Sequence, residues 1–387
     1  MRIAEIGKLK VAVIIRNFSS SGGGAEKYCY ELTKELAKHY EVHVFSQKFS
    51  ETLKNITYHK VPLSIKRPRF LNQLIFSVQT KFLIDRKEFN IIHSHDLVTH
   101  ANVYTLHVPC FKSSISRDLT LEKIFSYLSL IFSPRKITYL LIEFFQLRNK
   151  NNKSFIAVSG YLKKNIVKNY KNIERSIYMA PPGFYPSPNK FNKIEIRKKY
   201  SLPTNAYILA FVAHGFKRKG LQEIIHALEL IENQDIFIVI AGDGKSDEIN
   251  FNSALVKNNS RFLGRINNTN EVYAMSDALI HPTKGDTFGM VALEAISLNI
   301  PVIISSKKFC GISEYLEPDK AIIINNPFDS LEIKDKVMEI YNNEKLNKEL
   351  TKKAYGALKL FTWKETFRKT NEAYLKVLEN DICSNNN

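Results

Sequence analysis

Short β-branched runs alternate along the chain with longer segments of helical spacing. The first run, Lys10 to Phe18, is followed by the turn Ser19 to Gly24 and by helical spacing from Ala25 to His39. Further runs of buried-strand character in the first half lie at 42–46, 91–95, 103–107 and 155–159. Apolar strands separated by helices predict a parallel sheet covered on both faces. The first half is therefore predicted to form one doubly wound α/β unit.

A second set of such strands follows the Pro/Gly/Asn-rich segment Pro181 to Lys190, which has the composition of an interdomain linker. Its members lie at 207–214, 236–241, 278–282, 302–305 and 321–324. We predict a first domain of residues 1–183 completed by a C-terminal helix at about 364–387, and a second domain of residues 184–363. Two such Rossmann-like domains would face each other across a cleft at the carboxyl ends of their strands, where open α/β sheets bind ligands. The end, Ser384 to Asn387, has a disordered composition.

Size and charge refine this picture. The chain has 387 residues, 44% of them hydrophobic and 24% charged, which is enough for two cores. Its net charge of +18 is uneven, because residues 1–182 hold 29 Lys and Arg against 13 Asp and Glu. Such an excess indicates an extended anionic partner for the first half, either a phospholipid surface or nucleic acid.

Other composition signals exclude several classes of protein. Cys29, Cys110, Cys310 and Cys383 form no CxxC pair, and no His cluster has metal-ligand spacing, so neither a disulfide framework nor a metal site is predicted. No apolar stretch reaches the roughly 20 residues that a membrane-spanning helix needs, and Met1 to Lys10 is not a hydrophobic signal segment. These features predict a cytoplasmic protein.

Three loops between predicted strands and helices carry candidate chemistry. The first is glycine-rich, Gly22 to Glu26, and suits close approach of a phosphate or sugar to the backbone. The second, Gly215 to Gly220, holds three cations beside a helix start, which favours an anion between them. The third places Asp286 before an apolar helix and Glu294 inside it, where ligand hydroxyls would satisfy a carboxylate. A tight structural turn, a solvated basic loop and a surface glutamate are the corresponding non-functional alternatives.

Histidines end two strands of the first half. His93, His95 and Asp96 close one strand, and His107 closes another. Imidazoles at strand ends beside a cleft can hydrogen-bond a sugar, although a single histidine is more often structural. His107 is the favoured candidate among them.

Two segments of the first half mix basic with aromatic and aliphatic residues. Residues 111–150 have this mixture around the apolar run 124–132, and they suit a segment lying at a bilayer interface. Ordinary core helices are the alternative. Residues 65–84 are also basic, but the spacing of Leu71, Leu74, Ile75, Val78 and Phe82 is predicted to fit core packing.

In combination these motifs resemble retaining glycosyltransferases of the GT-B type, specifically the fourth family. The likeness runs from Gly23-Gly24-Ala25-Glu26 through 157–159, 242–244, 262–264 and 281–282 to Trp363. The stretch 215–220 looks most like lipopolysaccharide core glucosyltransferases. The resemblance implies a GT-B fold, with two facing Rossmann-like domains and an interdomain cleft.

The resemblance also implies roles for individual residues. Arg218 and Lys219 would bind the donor diphosphate, Gly23 or Gly24 would approach it, and His107 would contact the transferred sugar. Glu294 would hold the ribose, and Asp286 would act at the sugar. Backbone groups would cradle the sugar and the base, at Phe288, Gly289, Met290, Val291, Gly264, Arg265 and Ile266.

Asp286 departs from the family pattern, which has glutamate there, so its contact with the sugar or the donor sugar itself is expected to differ. The family's arginine near position 214 is also missing, and Arg218 would replace it. Because cations and helix dipoles can stabilise a departing diphosphate, and because no Asp-x-Asp motif is present, we expect no cofactor and no metal.

The sequence therefore predicts a retaining hexosyltransferase that moves a sugar from a nucleotide diphosphate sugar, a UDP-sugar being favoured, to a membrane-linked lipopolysaccharide or other cell-surface glycan. The enzyme would be peripheral on the inner face of the cytoplasmic membrane, held by its basic first domain. An epimerase or phosphorylase of the same fold is the nearest alternative. A nucleic-acid-binding protein is disfavoured because the basic charge is not interleaved with a recognised binding module.

Overall fold

The computed structural model of the chain describes residues 9–115, 133–148, 152–186 and 191–385. It forms two compact units. The first unit comprises residues 1–183 and 363–387, and the second comprises residues 184–362. The predicted boundaries were 183/184 and about 364.

The first unit is built on a seven-stranded parallel sheet with the strand order β5-β3-β1-β6-β7-β8-β9, and a short ribbon pairs β2 with β4. In register, Val13 of β1 lies between Val44 of β3 and His93 of β6. The strands are β1 (Lys10–Ile14), β2 (Asn17–Phe18), β3 (Glu41–Ser46), β4 (Lys48–Phe49), β5 (Ile56–Lys60), β6 (Ile91–Ser94), β7 (Val103–Leu106), β8 (Ser154–Ala157) and β9 (Ile177–Met179).

Helices cover this sheet, and the final helix of the chain packs on it together with the first one. Trp363 and Tyr374 of the final helix lie in the first unit's core. The described helices are α1 (Gly24–Leu36), α2 (Arg69–Leu83), α3 (Phe111–Ile115), α4 (Pro134–Leu147), α5 (Gly160–Asn169) and, at the end of the chain, the helix Trp363–Asn385. A 3₁₀ turn spans Lys171–Ser176.

The second unit has a six-stranded parallel sheet with the strand order β12-β11-β10-β13-β14-β15. Its strands are β10 (Tyr207–Val212), β11 (Ile236–Ala241), β12 (Ser260–Gly264), β13 (Ala278–His281), β14 (Val302–Ser305) and β15 (Ile322–Ile324). Its helices are α6 (Lys193–Lys199), α7 (Phe216–Lys219), α8 (Leu221–Ile231), α9 (Ala254–Asn258), α10 (Thr269–Ala274), α11 (Met290–Ser297), α12 (Ser313–Leu316), α13 (Ser330–Tyr341) and α14 (Glu344–Ala357); the final helix is α15. Separate apolar clusters fill the two faces of this sheet.

The fold class predicted from the sequence is confirmed, and most predicted strands are present with ends shifted by one or two residues. The run 10–18 is two strands rather than one, because the chain leaves the main sheet after Ile14 and pairs again at Asn17. The predicted strands also left out β5, β9 and β12. These strands lie at sheet edges, and β5 and β12 lack a buried, uniformly apolar face.

The prediction that 65–84 packs its apolar stripe into a core is wrong at three of the five residues of that stripe. The described helix α2 buries Phe76 together with Gln73, Ser77 and Thr80. Of the predicted stripe, Leu71 and Ile75 are half-buried, and Leu74, Val78 and Phe82 are exposed. The buried amide of Gln73 donates to the carbonyl of Leu97 at 2.7 Å, and the hydroxyl of Thr80 donates to the carbonyl of Phe76 at 2.7 Å. These hydrogen bonds satisfy polar groups that face inward. Most of the predicted stripe is therefore on the outside of α2.

Three other expectations concern segment ends. Pro181, Pro182 and Gly183 are buried, and Thr366 donates to the carbonyl of Pro181, so the start of the predicted linker is packed structure. Ser384 belongs to α15 rather than to a disordered end. Residues 124–132 lie outside the described residues. Among the residues that are described, no helix has the length and apolar character needed to cross a bilayer.

Candidate active site

The cationic loop of the second unit lies at the carboxyl end of β10. It folds as one short turn, α7, with glycines in the left-handed region at both ends. Lys219 points inward and is only 7% exposed, whereas Lys217 and Arg218 are exposed. The cations that the sequence placed together therefore face different surroundings, one buried and two in solvent.

This turn is joined to the loop that follows β13. A Cβ atom on Gly220 would lie 2.3 Å from the carbonyl oxygen of Pro282, so only glycine permits this approach. The N–H of Lys284 donates to the carbonyl of Arg218 at 3.0 Å, and the Arg218 guanidinium donates to the carbonyl of Gly285 at 2.6 Å. The two neighbouring loops thus form one surface at the sheet edge.

Asp286 lies where the two loops meet. Its carboxylate accepts hydrogen bonds from the ammonium of Lys219 and from Nε2 of His281 at 3.2 Å. Burial opposes ionisation of Asp286, but His281 and the charge of Lys219 outweigh it and hold the pKa of this carboxyl below its usual range. Burial lowers the pKa of His281, although its bond to Asp286 offsets part of that effect. The group is thus an ion pair supported by a neutral imidazole.

The helix α11 starts immediately after this loop and carries Glu294 on its second turn. Gly289 precedes it with φ of 95°, and a Cβ there would lie 2.7 Å from the sulfur of Cys310. The first-turn N–H groups of α11, from Met290 and Val291, emerge at the same sheet edge as Lys219. The carboxylate of Glu294 accepts a hydrogen bond from the hydroxyl of the buried Tyr273 at 2.8 Å.

The remaining predicted donor residues of the second unit lie close to this surface or form its backbone. Phe288 is buried in the core below it, and its N–H donates to Asp286 at 3.3 Å. Gly264 ends β12 with φ of 62°, and its carbonyl accepts from the N–H of Gly242 at 2.8 Å. Arg265 is exposed and Ile266 is half-buried. The carboxyl ends of β10, β12 and β13 thus bring the predicted residues to one edge.

In the first unit, His107 follows β7 and lines a cavity of about 400 Å³. Its Nε2 lies 3.1 Å from Nδ1 of His95, and the ring of Tyr28 packs edge-on against it, with centroids 5.1 Å apart. Tyr28 is itself fixed by its hydroxyl, which donates to the carbonyl of Ala180 at 2.9 Å. Burial lowers the pKa of His107 to about 3, so its imidazole is neutral at physiological pH.

His93 does not belong to this cavity, which corrects the expectation that it contacts a sugar. Its two ring nitrogens are engaged by the hydroxyls of Tyr374 at 2.8 Å and Thr105 at 2.7 Å. Burial lowers its pKa to about 3. His93 is a core histidine because neighbouring elements satisfy both of its nitrogens. His95 does line the cavity, and burial likewise lowers its pKa.

The glycine-rich turn of the first unit leads into α1, which begins at Gly24 with Gly23 as its N-terminal cap. Both glycines are exposed, and nothing lies within 4 Å of a Cβ built on Gly24. Beside this turn the guanidinium of Arg16 pairs with Asp96 at 3.1 Å. Asp96 therefore lines the same cavity as His107 as one half of an ion pair.

Sequence reasoning missed several residues of these sites. His281 was noted only as part of a strand end, and Tyr273 carried no local signal for its bond to Glu294. Glu143 of α4 is buried and accepts from the N–H of Phe111, from the N–H of Lys112 at 3.0 Å and from the hydroxyl of Tyr170 at 2.9 Å. It thereby fixes the end of the loop that carries His107. A glutamate on an apolar helix face was the available signal.

No group of three or more His, Cys, Asp or Glu side chains within the described ranges has the arrangement of a metal site. The arrangement that does occur is a buried cation, an exposed cation and two carboxylates at the edge of a parallel sheet, with a second cavity of neutral imidazoles in the other unit. Together with two doubly wound units, this is the arrangement that the resemblance to GT-B glycosyltransferases implies.

Comparison with known families agrees. Residues 22–187 match the model described as Glycosyltransferase Family 4, and residues 192–357 match that of Glycosyl transferases group 1. The two matches together span most of the chain, which belongs to the glycosyltransferases that these two models describe.

Individual relatives and structures are consistent with this. An uncharacterised glycosyltransferase of Methanocaldococcus jannaschii is 28% identical over 91% of this chain and 94% of its own length. The lipopolysaccharide glucosyltransferase WaaG of Escherichia coli K12 is 29% identical over 48% of this chain and 49% of its own. Its crystal structure has a TM-score of 0.76 over 94% of this chain and 98% of that one, at 18% identity. HepE of Anabaena in complex with UDP-glucose has a TM-score of 0.69 over 94% and 98%, at 16% identity.

Proposed function

We propose that the protein is a metal-independent, retaining hexosyltransferase. It transfers a sugar from a nucleotide diphosphate sugar, a UDP-sugar being favoured, to a membrane-linked lipopolysaccharide or other cell-surface glycan. The observation that carries this proposal is that the buried Lys219, the N-terminus of α11 and Glu294 all lie at one edge of the sheet. The complex of the related fold with UDP-glucose supports the choice of donor.

Each donor group has a chemical match at this edge. The diphosphate would lie against Lys219 and Arg218, and the helix N-terminus at Met290 adds positive potential. Glu294 would accept hydrogen bonds from the ribose hydroxyls, as the family resemblance implies. The base would lie along the backbone at Gly264 to Ile266. Preorganised cations of this kind stabilise the negative charge of a departing nucleoside diphosphate without a metal ion.

His107 is proposed to contact the transferred sugar. Because its imidazole is neutral and one nitrogen faces His95, it can exchange hydrogen bonds with hydroxyls but does not bring a positive charge. This suits recognition of an uncharged hexose. Retention of configuration is implied by the family resemblance, and no side chain is proposed as a nucleophile.

The acceptor side is proposed to face an anionic membrane. Helices α2 and α4 pack against each other, and both expose an apolar stripe at helical spacing: Leu74, Val78 and Phe82 on α2, and Ile137, Leu141, Phe144 and Phe145 on α4. We call these seven side chains the apolar docking surface. Exposed basic residues lie on or beside the same helices, namely Lys66, Arg67, Arg69, Lys81, Arg86, Arg135 and Arg148.

Exposed apolar side chains bordered by cations match the boundary between acyl chains and anionic headgroups. The strongly basic first half favours this partner over a neutral one. We therefore propose that the protein works as a peripheral protein on the inner face of the cytoplasmic membrane.

A thermal-shift screen with sugar nucleotides tests the donor proposal. A ligand that binds the folded protein raises its stability with the logarithm of its concentration over the dissociation constant. We expect UDP-sugars to raise the melting temperature of the wild type and Glu294→Ala to remove most of that shift. Glu314→Ala, which changes an exposed glutamate of α12, is the matched control. A screen without any nucleotide response, or an undiminished response in Glu294→Ala, would contradict the proposal.

A further inference from the structure

Every oxygen of the Asp286 carboxylate is engaged by the protein itself. Oδ2 accepts from both Lys219 and His281, and Oδ1 accepts from the N–H of Phe288 at 3.3 Å. The residue thus has strong donors, two of them on side chains, before any substrate is present. A sugar hydroxyl would have to displace or share one of these donors.

The backbone of Asp286 is fixed as well. Its N–H donates to the carbonyl of Phe309 at 2.7 Å, and its carbonyl accepts from the N–H of Gly311 at 3.2 Å. A bridge of strand type with Cys310 results. Because aspartate is one methylene shorter than glutamate, a fixed backbone leaves its carboxylate little reach beyond its present partners.

His281 holds this carboxylate from below. It is 1% exposed at the end of β13, and its neutral ring must carry its proton on Nε2 to donate to Asp286. Its Nδ1 is buried and has no hydrogen-bond partner among the described residues. Because Nδ1 has no partner, the hydrogen bond from Nε2 to Asp286 is the side-chain hydrogen bond of His281 among the described residues.

We propose that Asp286, held by His281, is a positioning residue for Lys219 and does not contact the donor sugar. The inference rests on the proposed function, in which Lys219 binds the donor diphosphate. Lysine has a long, flexible side chain, and a buried ammonium needs a counter-ion. Asp286 supplies that counter-ion and fixes the ammonium at the start of α11, so its effect is felt at the phosphates and not at the hexose.

Binding of UDP and of UDP-glucose, measured by calorimetry, separates the two roles of Asp286. In Asp286→Asn we expect both dissociation constants to rise by the same factor, about 10-fold, because the loss is at the diphosphate that both ligands share. The ratio of the two constants should stay within about 2-fold of the wild-type ratio. Weaker binding of UDP-glucose with unchanged binding of UDP would overturn the inference, since only a sugar contact gives that pattern.

His281 supplies a second test that leaves the ion pair in place. Gln can present an N–H near the position of Nε2, whereas Phe cannot, so His281→Gln should retain UDP binding within about 2-fold and His281→Phe should weaken it for both ligands. Equal binding by both variants would count against the inference. Circular dichroism at the assay temperature establishes whether each variant is folded. If Asp286→Asn is not folded, the comparison of His281→Gln with His281→Phe tests the inference.

A double variant tests whether Asp286 acts through Lys219. In a Lys219→Met background, Asp286→Asn should change UDP binding by less than about 2-fold, because the group it positions is gone. Independent, additive losses would overturn the inference. If the wild type itself binds neither UDP nor UDP-glucose, the proposed donor class is wrong and the inference fails with it. That outcome is distinct from a selective loss of the sugar contact in a variant.

Discussion

The two units meet the same requirement, a polar site at the end of a parallel sheet, with different side chains. The second unit uses full charges: Lys219, Asp286 and Glu294. The first unit places two neutral imidazoles, His95 and His107, in a cavity that is also lined by the ion pair of Arg16 with Asp96; burial lowers the pKa values of both histidines. A charged site is matched to a group that carries or develops charge, and a neutral one to hydroxyls. The difference supports the proposal that the second unit binds the diphosphate and that the first contacts uncharged sugars.

Substitutions in the two sites should therefore differ in size. Lys219→Ala removes a buried cation from the departing diphosphate, and we expect transfer to fall by at least about 100-fold. His107→Asn removes a neutral hydrogen bond and should cost about 10-fold. The measurement is transfer of labelled sugar from UDP-glucose, or from the nucleotide sugar that the thermal-shift screen selects, to a lipid fraction. Lys217→Ala, an exposed cation on the same turn, is the control for general loss of charge.

The contrast would fail if His107→Asn abolished transfer while Lys219→Ala retained more than a tenth of it. A charge-based role for the second unit also implies that chelation of metal ions leaves the wild-type rate unchanged.

The second prediction concerns pH, because burial keeps the imidazoles of the first unit neutral in the folded protein. His93, His95 and His107 are neutral when folded, with pKa values lowered by burial, whereas an unfolded histidine has a pKa near 6.5. Between pH 6.5 and about 3 the unfolded chain binds more protons, so stability falls as pH falls. At pH 5 His93 and His107 should each lower the free energy of unfolding by about 2 kcal/mol.

The chain offers a local probe for this effect. Trp363 is its only tryptophan, and it lies buried in the first unit beside Tyr28. Urea unfolding followed by tryptophan fluorescence at pH 7.5 and pH 5 therefore reports on the unit with the imidazoles. His93→Phe should reduce the difference between the two pH values. An unfolding midpoint that does not depend on pH, or that rises at pH 5, would refute the neutral assignment.

These sites also show what a sequence can and cannot predict. The positions of Lys219 and Asp286 followed from the rule that ligand-binding loops leave the carboxyl ends of parallel strands, because β10 and β13 are neighbours. Their pairing did not follow, since it depends on the single turn of α7 that sends Lys219 inward and Arg218 outward. His93 and His107 looked alike as strand-end histidines, and only the partners of their ring nitrogens separate them.

Helix α2 shows a different limit. Its periodicity correctly indicated one apolar and one polar side, but periodicity cannot say which side faces the core. That was decided by contacts distant in sequence, such as the acceptor for Gln73 at Leu97. The membrane prediction was based on residues 111–150. Their apolar run 124–132 lies outside the described residues, so the prediction now depends on α2 and α4.

The smallest expected effect is on membrane association through the apolar docking surface. Phe82 is 82% exposed, and moving such a side chain into a bilayer interface contributes about 1 kcal/mol when it is only partly buried. Phe82→Ser should therefore weaken binding to anionic vesicles about 5-fold, and Phe82→Ser with Leu141→Ser should weaken it further. Cosedimentation with vesicles of phosphatidylglycerol and phosphatidylcholine measures this, and rising salt should weaken the wild type as well. Leu331→Ser, which changes a leucine of the second unit that is about as exposed as Leu141, should leave binding unchanged. If Leu331→Ser lowered binding as much as Phe82→Ser, the membrane contact would not belong to the first unit, and the division of chemistry between the two units would need another explanation.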